Sequence, residues 1–336
     1  MKRLVLALTL AASAINALSN NKPLVYTRIS QEEGLTSTVN CIYKEKDSDV
    51  WIGTPNGLYS YDGYSLTNHS DNIFKSRRVF HISCSNTGDL FILTDRHILK
   101  KEPEKDGFRK VSVAEEPYFC AVQDNNTTWI GGRNKIYRYE NGNLEVFCET
   151  DTEFDCRSMG MINENTLLCC SNRGKILIDL NDRAISEAPY GNSKEVSAAL
   201  IDKKGRIWIA YYNNGITVYT KDGQQIRNYR KANSKLSNDI VLCLTEKGNT
   251  ILAGTDGGGI NIINPETDEI QTLTHISGDR SSFPAHSIKS LHTDHYGNIW
   301  AGSIRDGLIH INRSLISFYT DSYLGLSNGL SNPTVL

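Results

Sequence analysis

A short unit that recurs seven times constrains this chain more than any other feature. The unit reads aliphatic-Trp-aliphatic-Gly-Thr, a polar turn, Gly-Leu, then a strand ending in Tyr-x-Tyr-Asp, and its clearest copy spans residues 50–62. The Trp position falls at residues 51, 91, 129, 168, 208, 252 and 300, at steps of 40, 38, 39, 40, 44 and 48 residues. Tryptophan itself stands at Trp51, Trp129, Trp208 and Trp300; Phe91, Leu168 and Leu252 take the other three places. Seven units of that length, each holding about four short strands, predict an all-β, seven-bladed β-propeller of four-stranded antiparallel blades.

Alternation and turn residues place strands within a unit. In the first blade they fall at 39–43, 50–54, 58–61 and 64–68; in the last, at 288–292, 298–303, 308–311 and 315–320. The tryptophans read as fillers between blades, since aromatic rings dominate core burial. The Gly two residues on lets backbones approach, and a second Gly, at 57, 215, 259 and 307, turns the chain into the third strand. Past residue 17 no stretch shows a sustained helical period.

The chain offers one strand too many. Residues 24–29 precede blade one, so this strand is expected to complete blade seven and remove the open sheet edges. The segment 321–336 resembles the stretch after residue 29, with Gly329-Leu330-Ser331 echoing Gly34-Leu35-Thr36, and reads as the start of a second propeller or a linker. The domains expected are therefore a signal peptide at 1–17, the propeller at 24–320, and that segment.

The signal peptide rests on Lys2 and Arg3, the apolar run 4–10, and small residues around Ala14 and Ala17. It implies export and a periplasmic location. The eight cysteines are irregularly spaced with no C-x-x-C, and five of them (Cys41, Cys84, Cys120, Cys169 and Cys243) sit inside apolar strands. Buried thiols are the preferred reading over a disulfide framework. The net charge of −2 supplies no basic stripe for nucleic acid.

The motif W-I-G-T-x-x-G-L-x-x-Y-D, read from Trp51 to Asp62, resembles the two-component regulator propeller repeat. Gly205-Arg206-Ile207-Trp208 and Gly297-Asn298-Ile299-Trp300 match that repeat's lead-in to its Trp, whereas blades two and four depart from it. The resemblance covers residues 24–336. It implies the N-terminal periplasmic propeller of a Bacteroidetes-type hybrid two-component sensor. In that family a second propeller and a histidine kinase follow, and oligosaccharides are the usual signal. A homodimer is left open. Sensing rests here on the resemblance, because fold alone does not give function.

The chemistry motifs are sparse. There is no G-x-S-x-G, no H-E-x-x-H and no P-loop. No cofactor or metal is expected. Asp256 and Asp306 precede equivalent turns, but Asp suits turns; His292 and His295 flank Asp294 in what reads as a strand end and turn. The turns after the second strands supply Asn56, Arg96, Arg133, Asn172, Arg173, Tyr211, Tyr212, Asp256 and Arg305. Tyrosine faces and arginine forks suit a sugar, above all an acidic one. Tyr211, Tyr212, Arg133, Arg173 and Arg305 are the expected ligand contacts, with no catalytic turnover. The competing class is a propeller-fold glycan lyase or hydrolase, which would need paired carboxylates.

Overall fold

Hydrophobic residues on both faces of the second strands decide the architecture. Val50–Thr54, Leu90–Thr94, Ile207–Tyr211 and Ile299–Ser303 are buried along their whole length, so each must be covered on both sides. A single sheet cannot do this; sheets packed face to face can. The computed structural model describes residues 24–35, 38–72, 75–103, 105–112, 114–192 and 194–313. It holds seven four-stranded sheets, and the pairings within residues 41–303 are antiparallel throughout. This is the seven-bladed propeller that the repeat predicts. The proposed signal peptide, the strand at 315–320 and the segment 321–336 lie outside the described residues.

Blade one runs Cys41–Lys44, Val50–Thr54, Gly57–Tyr61 and Leu66–Asn68, within two residues of the bounds read from sequence. In blade seven Ile288–Thr293, Ile299–Ser303 and Leu308–Arg313 are joined by Leu24–Ile29, which takes the outermost place next to Leu308–Arg313. The expected closure by the first strand is therefore present. The first strands of successive blades neighbour one another in ring order, and that of blade seven meets that of blade one.

The Trp position fills the gap to the following blade in blades one to five and seven. Trp51 packs against Val79, Ile82 and Ile92 of blade two, and Trp300 against Val39, Ile42 and Ile52 of blade one. Phe91 and Leu168 do the same against Ile130 of blade three and Ile209 of blade five. The four tryptophans are 0–7% exposed. In blades five and seven an aspartate six residues earlier accepts the indole N–H: Trp208 Nε1 donates to Asp202 at 2.9 Å and Trp300 Nε1 to Asp294 at 3.0 Å. A buried polar tip usually demands such a partner.

One glycine shows how blades come close. A Cβ on Gly131 would lie 2.8 Å from the Cys156 side chain and 2.9 Å from Cys120 Sγ. Gly215 serves a different need: its φ of 65° places it in the left-handed region, at the turn into the third strand.

Candidate functional site

Antiparallel alternation fixes which loops share a face. Chain direction reverses at every strand, so second-to-third-strand turns and blade-to-blade loops leave the same end of each blade. The two sets are bonded together. Asp95 N donates to Arg78 O, Tyr212 N to Glu195 O, Asp256 N to Ile240 O and Ile304 N to Ser287 O, at 2.9–3.1 Å. A rigid rim results, and loops on a rigid scaffold are where recognition concentrates.

At the axis, the first strands of all seven blades enclose a channel of about 520 Å³. Its charged lining residues are Arg78, Arg157 and Lys289; His81 also lines it, and no Asp or Glu does. The Arg157 guanidinium lies 4.9 Å from the Phe119 ring centroid and that of Arg78 5.8 Å from Phe80, while the two phenylalanines meet edge to face at 5.1 Å. Cation–π stacking holds both guanidinium groups in place. Arg157 also pairs with Asp155 at 3.2 Å. Burial pushes His81 down to about 4, against a hydrogen bond to the Ala121 backbone, so this ring is neutral near pH 7.

The five residues expected as contacts are spread over the rim rather than gathered. Tyr212 is 56% exposed. Arg133 pairs with Asp155 and Arg173 with Glu153, both on the loop between blades three and four. Arg305 borders a cleft with Arg28, Ser30, Gln31, Glu32 and Asp306. Tyr211 departs from expectation: it is 2% exposed, because its ring packs in the core between blades four and five. Only its edge borders a cleft of about 500 Å³, beside Asn192, Asn214, Asn228, Asn233 and Arg230. These amides and the channel arginines lie outside the second-strand turn contacts that the sequence points to. The signal for Arg78 and Arg157 was a charged residue at the mouth of an inner strand.

Asp256 and Asp294 are engaged in the fold, and Asp306 borders the cleft beside Arg305. Asp256 accepts a hydrogen bond from Ser287 Oγ at 2.6 Å. Asp294, between His292 and His295, holds Trp300 and Asn298. Among the described residues no group of three or more His, Cys, Asp or Glu side chains is placed to share a metal ion.

The fold and this site define a seven-bladed propeller with a cationic axial channel and a polar rim. No family model and no curated protein matches the chain. Among solved structures, it is similar to an extracellular domain assigned to the hybrid two-component system BT3049 from B. thetaiotaomicron, with TM-score 0.75 and 17% identity over 92% of this chain and 44% of that one. The extracellular domain assigned to the system BT4673 of the same organism gives 0.69 and 21%, over 85% and 39%. Virginiamycin B lyase from Staphylococcus aureus gives 0.67 and 13%, over 86% and 98%. The chain thus spans about two fifths of the length of the two extracellular domains.

Proposed function

We propose that this chain is the ligand-sensing propeller of an exported two-component signalling protein, and that it binds an oligosaccharide bearing acidic groups without transforming it. The observation that carries this reading is the axial channel: three cationic side chains, two of them stacked on phenylalanine and one of these, Arg157, also paired with Asp155, with no carboxylate among the lining residues. Arginine forks bind carboxylate or sulfate in bidentate fashion. The amide-rich cleft beside Tyr211 adds donors and acceptors suited to hydroxyl groups. The similarity to extracellular domains of two-component systems supports the signalling context and a periplasmic location. On this reading a second propeller and a kinase make up the remainder.

Calorimetry with acidic and neutral oligosaccharides, with the products assayed in parallel, tests this. Acidic sugars should bind, and Arg78→Ala/Arg157→Ala should weaken them at least tenfold. Full affinity in that variant moves the site to the rim, where Tyr212→Ala/Arg305→Ala is the next test. The lyase similarity keeps one alternative in view, and turnover that survives repurification would establish it.

A further inference from the structure

Cys120, Cys156 and Cys169 meet in the core between blades three and four, with Cys148 packed at its edge. The repeat shows which of these thiols the fold requires. Opposite the glycine of the second strand, the first strand carries Cys41, Cys120, Cys243 or Ser290. A small polarisable side chain fills the room that the glycine leaves, so Cys120 obeys a pattern shared with other blades.

Cys156 and Cys169 break the pattern. Two residues before the position just described, the other six blades carry Val39, Val79, Tyr118, Val196, Val241 and Ile288, all buried. These side chains wedge against the preceding blade: Val79 on Gly53, Ile288 on Gly254. Blade four puts Cys156 there, against Gly131. The residue after the Trp position is Ile52, Ile92, Ile130, Ile209, Ala253 or Ala301 elsewhere, and Cys169 in blade four. The other blades fill both places with aliphatic groups, apart from Tyr118 in blade three, so a thiol at both is particular to blade four.

The geometry supplies one. Cys120 Sγ and Cys156 Sγ lie 3.8 Å apart, and Gly131 leaves open the space between them. Closing that gap to the roughly 2.0 Å of a disulfide is a side-chain-scale movement. Burial pushes the Cys156 thiol up, but hydrogen bonds from the Cys120 and Cys169 thiols and from the Cys170 backbone outweigh it and favour the thiolate; burial raises Cys120 and Cys169.

We propose that Cys120 and Cys156 form a disulfide that ties the first strand of blade three to the loop entering blade four, with Cys169 as its exchange partner. The oxidant is a disulfide, such as oxidised glutathione or an oxidoreductase. During folding, before blades three and four close over it, the Cys156 thiolate attacks one of its sulfurs, releasing one thiol and forming a mixed disulfide. The Cys120 thiolate then attacks the Cys156 sulfur and expels the second thiol. Two electrons and two protons pass from the cysteine pair to the oxidant. In exchange, the Cys169 thiolate attacks Cys156 and releases Cys120.

The test uses the whole chain refolded in a glutathione redox buffer, then denatured and alkylated without reduction. Mass spectrometry should find six alkylated cysteines, not eight, and a cross-linked pair of peptides containing Cys120 and Cys156. Reductant should lower the Tm of the wild type by about 5–10 °C. Cys156→Val, which restores the residue type of four other blades, should fold and show no response to reductant. Eight alkylated thiols in the folded protein, a bond that omits Cys156, a Cys156–Cys169 bond in place of the one named, or an undiminished reductant shift in Cys156→Val would each overturn the assignment. None of these readouts depends on ligand binding.

Discussion

Asp202 and Asp294 each stand six residues before a tryptophan and accept its indole N–H. Blade three has the same spacing, but the residue is Gln123. Its Oε1 is taken by Thr128 at 2.9 Å, and both Gln123 Nε2 and Trp129 Nε1 are buried without a partner. A buried donor left unmade costs about 1–3 kcal/mol. Gln123→Asp offers oxygens to both Thr128 and Trp129 and removes one orphan donor outright. We expect it to stabilise the protein by about 1 kcal/mol, read as a rise in the urea midpoint with unchanged slope; no gain would mean that the shorter side chain misses the indole. The tryptophans themselves were legible in the sequence because their spacing is periodic. Their hydrogen-bond partners were not, because an acid before a turn has an adequate local explanation. Tyr211 failed in the opposite sense: a tyrosine at a strand end looks available until the neighbouring blade covers it.

At the level of strands, the repeat revealed the second strand of every blade, whose two-sided burial leaves an unbroken apolar run, and the four-strand order of blade one. It also exposed the surplus strand Leu24–Ile29, which completes blade seven. What the sequence did not reveal was the channel lining, because inner-strand residues facing an axis follow no hydrophobic period: Arg78, Phe80, Phe119 and Arg157 become neighbours only when the ring is formed. Ile29 is 2% exposed and packs with Trp300, Leu308 and Val39. Removing residues 24–29 therefore deletes a buried anchor and leaves Leu308–Arg313 as an unpaired edge. We expect such a deletion to lower Tm by at least 5 °C, since burying one large aliphatic side chain is worth roughly 2 kcal/mol, and to promote association through that edge on size exclusion. A deletion that melts like the parent and stays monomeric would contradict the closure.

The whole molecule carries a signature in its response to acid. Burial lowers His69, His81, His97, His292 and His310 below the ordinary histidine value. Between about pH 6.5 and 4 the unfolded chain takes up protons that folded His81 refuses, so stability falls as pH falls through this window. His81 alone contributes at most about 3 kcal/mol of that loss. His81→Ser, which copies the residue of blade seven at this position, should flatten the profile between pH 4 and 6.5 and leave stability near pH 7.5 little changed. An unaltered slope would place the effect on the other four rings. Below pH 4 a second loss follows. Burial pushes Asp202 and Asp294 up, but their hydrogen bonds outweigh it and hold both below the ordinary carboxylate value. Their contribution is present above that value and disappears as pH falls through the depressed one.

The sharing of blade seven between the first and last described strands also sets an order of events. Leu24–Ile29 emerges first during synthesis, yet its partner Leu308–Arg313 lies almost a full chain length away. Six blades are complete in sequence before that partner exists, and each can form from contiguous residues. The seventh requires the longest loop closure among the described strands, whose entropic cost is met only when Leu308–Arg313 is available. Until then the early strand's backbone groups stay hydrogen-bonded to water, and substitutions at this pairing are expected to slow closure of the ring while leaving the hairpins of the other blades little affected, as read by stopped-flow refolding.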